Sequence, residues 1–285
     1  MINLDNYNYS VLMSVYYKEK AEYLLTSMES ILQQTYPTND FVLVCDGLLG
    51  DELNKVIEQM QERFGSILQV IRLQKNVGLG NALNYGMKYC KNDLIARMDS
   101  DDISRPDRCE KQLAIFKKFL DISIISGTVE EFSISPSIVD TRRVLPEQHE
   151  EIIKFAKKRN PFNHPCVMYK KKEVEMAGGY QDFYLLEDYY LWIRMLQNGS
   201  KAYNIQEPLL WMRAGNNMYK RRSGWKYAKS QIRLFHYMYQ KHFISKKQQI
   251  QNSIIRVMSS MMPNTIRKIL FKTLLRKKKW INLDE

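Results

Sequence analysis

Apolar and polar positions follow two alternating periods along the first hundred residues. YSVLMSVYY (9–17) is a short β-type run, and KAEYLLTSMESILQQT (20–35) carries Leu24, Leu25, Met28, Ile31 and Leu32 at helical spacing. Pro37 stops that helix. DFVLVCDG (40–47) is a compact apolar segment ending in Asp-Gly, as a buried strand entering a loop would be. The pattern then predicts a helix over 51–64, a strand over 67–73, a helix over 80–90 and a strand over 93–99. This order predicts an α/β fold, a mostly parallel central sheet flanked by helices. Ligands of such sheets bind beyond the carboxyl ends of the strands. Asp46 and Asp99 fall at such ends, as does Tyr16 or Tyr17, so three distant segments are expected to converge on one crevice.

The second half is less regular. A helix is expected over 105–120, a strand over 121–134 and a helix around 147–158, followed by the turn-rich NPFNHP. Another helix starts near 173, turns at Gly178-Gly179 and resumes from about Glu187. Neither an internal repeat nor a low-complexity linker interrupts the chain before 215. The expected organisation is one catalytic-type unit over 1–215 and a basic helical C-terminal extension over 216–285.

Charge changes the picture only in that extension. The 285 residues carry a net +12, but Tyr219–Glu285 holds 17 Lys and Arg against 2 Asp and Glu. An anionic partner is therefore to be sought there. NTIRKILFKTLLRKKKWINL (264–283) puts Ile266, Ile269, Leu270 and Leu274 on one helical face, with Arg267, Lys268, Lys272 and Arg276–Lys279 beside it. Such a helix can lie on the inner leaflet of a membrane with Trp280 at the interface, or pack on the domain with a solvated basic face. No stretch approaches the ~20 apolar residues of a spanning helix. MINLDNYNYS lacks the basic and apolar regions of a signal peptide. A cytoplasmic protein, peripheral at the inner face of the cell membrane, is expected. Cys45, Cys90, Cys109 and Cys166 show no paired metal or redox spacing and are expected to be buried thiols.

The candidate chemistry gathers in LIARMDSDDISRPDR (94–108), where Asp99, Asp101 and Asp102 lie within four residues. A solvated acidic turn is one reading. A calcium loop is another, and it fails because Ile103 and Ser104 stand where a ligand and a glycine are needed. The third is an Asp-x-Asp site for Mn²⁺ or Mg²⁺ bound with a diphosphate, the metal offsetting carboxylate repulsion and the charge of a departing diphosphate.

SVLMSVYYKEKAEYLLTSMESILQQTYP, FVLVCDG, NVGLGNALNYG, ARMDSDDISRPDRCEKQ, NHPCVMYKKKEVEMAGGYQ and LEDYYLWIRM occur in that order. Together they resemble family 2 glycosyltransferases over about residues 9–215, above all bacterial enzymes of capsule, exopolysaccharide and O-antigen assembly. The resemblance implies a GT-A fold and inverting transfer from a nucleotide-diphosphate sugar. A UDP-sugar is the expected donor and a lipid-linked saccharide the expected acceptor. Asp46 matches the residue that contacts the nucleobase or ribose, although Cys45 stands where many members have a second Asp. Asp99 and Asp101 match the Asp-x-Asp motif, with Asp101 the direct metal ligand and Asp99 nearer the ribose or a metal-bound water. Asp102 either joins this cluster or only caps the next helix.

Inversion needs a general base, and Asp188 in LLEDYYLW matches the family's position for it; the plain alternative is a first-turn acid. Tyr16, His164 and Gly179 complete the expected nucleotide-sugar site. Here His164 would bond a phosphate or the acceptor, and Gly178-Gly179 would turn closely around a sugar. The Gln-x-x-Arg-Trp motif of processive members is absent, so one sugar per encounter is expected. Two rivals are an Asp-x-Asp phosphatase and a nucleic-acid-binding protein. The first wants an unbroken apolar strand where Arg97 intervenes, and the second does not explain an acidic crevice; no nucleic-acid partner is expected.

Overall fold

The computed structural model describes residues 7–214 and 223–263. Strands β1 (Tyr9–Val15), β2 (Asp40–Cys45), β3 (Leu68–Arg72) and β4 (Leu94–Asp99) form the parallel half of a sheet ordered β3-β2-β1-β4. The order continues through β8 (Met168–Lys170), β6 (Ile122–Phe132), β9 (Lys201–Arg213) and β5 (Ile103–Ser104), with β7 (Thr141–Arg143) beside β6. Strand β8 runs antiparallel to β4 and β6, which makes the whole sheet mixed.

Every residue of β2 is buried, as a strand covered on both faces requires. Helices α1 (Ala21–Leu32) and α2 (Asp51–Phe64) cover one face; α2 contributes Leu53, Ile57, Met60 and Phe64, a single helical stripe. Helices α3 (Leu79–Met87) and α7 (Glu187–Gln197) cover the other, where Trp192 is fully buried. Three more helices, α4 (Arg108–Lys118), α5 (His149–Ala156) and α6 (Lys171–Met176), complete the described residues up to 214.

Register brings the expected chemistry to one edge. Val15 pairs with Cys45 and Ser14 with Asp99, so Tyr16, Asp46 and Asp99 stand at the carboxyl ends of three adjacent strands. The four cysteines are free and buried.

Strand β9 is absent from the sequence reading. It contains Glu207-Pro208, which argues against a strand interior. The sheet accepts Pro208 at a break in register, where pairing to β6 shifts between Gly127 and Val129. Beyond it, α8 (Gly224–Gln240) sinks Leu234, Phe235 and Met238 into the core that holds Trp192. Helix α9 (Lys246–Met261) starts at a reciprocal cap between Ser245 and Gln248. The helix expected over 264–283 lies outside the described residues. Among those residues, no helix is long and apolar enough to cross a membrane.

Candidate active site

Alternation along β4 turns Ile95, Arg97 and Asp99 to the same side of the sheet. Arg97 is buried to 1% exposure and its Nη2 donates to Asp99 Oδ1. A buried guanidinium is costly unless paired. Here it holds the carboxylate of Asp99, whose side chain is 33% exposed. Among the described residues, Nε and Nη1 of Arg97 have no hydrogen-bond partner.

Asp99, Asp101 and Asp102 each offer an oxygen, and these atoms lie within 4.8 Å of one another. Burial, then the charges of Asp99 and Glu19, push the Asp101 carboxyl up to about 7. Burial and the neighbouring carboxylates push Asp102 well above the usual range. Glu19 reaches the same loop by accepting from Ser100 Oγ at 2.7 Å. An all-carboxylate donor set under mutual repulsion fits a hard divalent cation such as Mn²⁺ or Mg²⁺.

Asp102 is not the helix cap that the sequence suggested. Its Oδ1 accepts the backbone N–H of Arg213 at 2.8 Å, and Asp107 occupies the N-cap of α4. The cause is the pairing of Ile103 with Trp211, which lays the acid loop against β9. Arg213 Nε also donates to the Asp101 carbonyl at 3.1 Å, so β9 fixes the loop twice.

Asp46 is buried, and both of its carboxylate oxygens are engaged. Oδ1 accepts from Val77 N at 2.7 Å and Oδ2 from Gly78 N at 3.0 Å, which ties the end of β2 to the loop before α3. Tyr16 stands half-exposed at the end of β1, edge-on to Tyr17 with ring centroids 5.7 Å apart.

His164 lies in a 3-10 turn, His164–Cys166, and its Nε2 is 2.9 Å from the Tyr180 hydroxyl. Burial, then the charge of Arg97, hold its pKa well below the usual range, so the ring is neutral. Trp192 lies edge-on to both rings. Gly179 takes φ +62°, and a Cβ there would meet Asn84 Oδ1 at 2.7 Å. The same Asn84 clamps Tyr180, accepting its N–H at 2.8 Å and donating to its carbonyl at 2.6 Å. The glycine pair thus sets the position of Tyr180.

Asp188 is the second residue of α7, after Glu187. Its Oδ2 accepts from Asn160 Nδ2 at 2.6 Å and its Oδ1 from Tyr189 N at 2.6 Å, so both oxygens are oriented. Burial, then Asp188, push the Glu187 carboxyl up to about 7. Arg97 lowers both Glu187 and Asp101, which places one buried cation within electrostatic reach of the acid loop and the start of α7.

The structure therefore gathers Asp99 and Asp101 into one cluster, sets Tyr16 and Asp46 on neighbouring strand ends, and puts His164 and Gly179 around Tyr180. Asp188 makes no hydrogen bond to the acid loop among the described residues. The sequence reading missed Arg97, Glu19, Asn160 and Tyr180 as parts of the site. Arg97 had a signal, since a charge inside an apolar strand demands a buried partner. Asn160 had none.

The family model for glycosyl transferase family 2 matches residues 10–175. UDP-Gal:alpha-D-GlcNAc-diphosphoundecaprenol beta-1,3-galactosyltransferase of Escherichia coli is 38% identical over 273 residues, 96% of this chain and 98% of that protein. The amylovoran biosynthesis glycosyltransferase AmsE of Erwinia amylovora is 36% identical over 269 residues, 93% and 98% of the two chains. Among solved structures, S. aureus TarS bound to UDP-GlcNAc aligns with a TM-score of 0.67 at 14% identity, covering 94% of this chain and 76% of that one. The mannosyltransferase PcManGT of Pyrobaculum calidifontis, bound to GDP-Man and Mn²⁺, aligns with 0.63 at 12% identity, covering 94% and 81%. At such identities these structures bear on the fold alone, which is the GT-A type. The chain belongs to glycosyl transferase family 2 and is a glycosyltransferase.

Proposed function

We propose that this enzyme moves one hexose, with inversion, from a UDP-sugar to a hydroxyl of a diphosphoundecaprenol-linked saccharide during assembly of a bacterial surface polysaccharide. The observation that carries the reading is the three-carboxylate cluster closing β4, with Arg97 of that strand in electrostatic reach both of the cluster and of Glu187, next to the oriented Asp188. The E. coli relative, which matches this chain over nearly the whole length of both, supports this donor and acceptor.

In this reading Asp101 and Asp99 hold Mn²⁺ or Mg²⁺, which when bound neutralises charge on the leaving diphosphate. Arg97 aims Asp99. Asp188 takes the proton from the acceptor hydroxyl as that oxygen bonds the anomeric carbon. The bond from that carbon to the phosphate oxygen breaks, and UDP leaves with the electron pair. Asn160 and the Tyr189 N–H keep Asp188 aimed. Asp46 acts on the nucleotide by holding the 77–78 loop, with Tyr16 offering a ring to the base. Neutral His164, through Tyr180, and Gly179 shape the sugar pocket.

The test is to incubate purified protein and Mn²⁺ with a panel of UDP-, GDP- and dTDP-sugars and GlcNAc-diphosphoundecaprenol. Transfer from a UDP-hexose, UDP-galactose first, is expected. Release of phosphate from sugar phosphates without any transfer would overturn the reading.

A further inference from the structure

Helix α9 is built inside out. Its inward residues are polar apart from Val257: Gln249 pairs with His236 Nδ1 at 3.3 Å, Asn252 Nδ2 donates to the Lys157 carbonyl at 2.9 Å, and Arg256 Nη2 to the Lys158 carbonyl at 2.6 Å. Ser260 is buried on the same side. The outward side carries Ile250, Ile254, Ile255, Met258 and Met261, each between 49% and 64% exposed. Four of them, at 250, 254, 258 and 261, fall on one helical line. A surface helix ordinarily turns such a stripe toward the core. A contiguous apolar patch turned outward marks an interaction surface.

Charge selects the occupant. From Pro208 to Leu283 the sequence holds 18 Lys and Arg and not one Asp or Glu. Lys246, Lys247 and Arg256 lie on α9 itself, and the Lys157-Lys158 backbone is bonded to it. A second copy docked on this face would bring two cationic rims together. An anionic bilayer meets both features, taking the isoleucines and methionines into its acyl boundary and the lysines at its phosphates.

We infer that the outer face of α9 is a binding surface for an anionic lipid bilayer, separate from the basic segment 264–283. The inference rests on the lipid-linked acceptor proposed above, and the geometry supplies its use. Asn160, which orients Asp188, stands three residues from Lys157, which is bonded to α9. The charge of Arg256 is felt at Tyr189, the residue after Asp188. Docking of α9 would set the candidate base close to the leaflet that carries the acceptor.

Full-length protein is sedimented with vesicles of phosphatidylglycerol and phosphatidylethanolamine, and with vesicles of phosphatidylcholine alone. Ile254→Glu/Met258→Glu should weaken binding to the anionic vesicles roughly tenfold or more. It should leave unchanged both the melting temperature and turnover of a water-soluble GlcNAc-diphosphate acceptor. Because the native cysteines are buried, Met258→Cys accepts an environment-sensitive fluorophore at that site, and its emission should rise with anionic vesicles. Undiminished binding by the double variant, or a silent fluorophore, would overturn the inference. So would a lowered melting temperature, which means that the chain's own residues cover the face, or a wild-type dimer that the double variant dissociates. Lipid binding that follows the expected pattern in a protein inactive on every acceptor would uphold the surface and count against the acceptor reading alone.

Discussion

The side-chain amide of Asn160 donates to Asp188 Oδ2 at 2.6 Å, while the Tyr189 N–H holds the other oxygen at the same distance. Two donors from different segments leave the carboxylate little freedom to rotate. Asp188→Asn should lower transfer by roughly 10²- to 10⁴-fold with an unchanged melting temperature, the range a general base contributes. Asn160→Ala keeps the base but frees it to turn. Its kcat should fall roughly ten- to a hundredfold while KM for the donor holds, a split measurable by steady-state kinetics.

Asp101 and Asp102 share a loop but differ in what they face. Asp102 spends one oxygen on the Arg213 N–H, whereas Asp101 lends β9 only its carbonyl. Asp101→Asn should abolish Mn²⁺-dependent transfer and Mn²⁺ binding by calorimetry, with the fold retained. Asp102→Asn keeps an oxygen for Arg213 and should retain measurable metal binding.

Glu187 gives the protein a pH signature. Its carboxyl is raised from 4.5 to about 7, chiefly by burial, so the folded state prefers the protonated acid. Its contribution to stability is full below pH 4.5 and is lost as pH rises toward 7, about 3 kcal/mol in all. Glu187→Gln should therefore leave stability near pH 4.5 unchanged and raise it near pH 8. Denaturant melts at the two pH values check this.

Gly179 is held at φ +62°, and an added Cβ would lie 2.7 Å from Asn84 Oδ1. Gly179→Ala should cost about 2 kcal/mol through backbone strain and loosen the Asn84 clamp on Tyr180. The loss is read as a lower urea midpoint, with a raised KM for the donor.

The parallel half of the sheet was legible because its helices and strands carry strong, opposite periods; α2 falls on the predicted 51–64. The acid cluster was legible from its density alone. Strand β9 was not, because Pro208 masks it and only its long-range pairing with β6 accounts for it. The same strand decides the role of Asp102, so a local reading gave it a cap it does not make. Arg97 interrupts the apolar strand in the sequence, and the fold turns that interruption into the partner of Asp99. Asn160 and Tyr180 belong to the site only through contacts with residues 28 and 96 positions away, which no local pattern records.

The proposed reaction is sugar transfer with inversion, served by Asp188 and a metal held at Asp101. It is tested most directly by following the anomeric configuration of the product by NMR, with UDP-galactose as donor, GlcNAc-diphosphoundecaprenol as acceptor and Mn²⁺ present. The wild-type enzyme should form a new glycosidic bond of configuration opposite to the donor's, and Asp188→Asn should lose it. A product that keeps the donor's configuration, or equal product from Asp188→Asn, would contradict it.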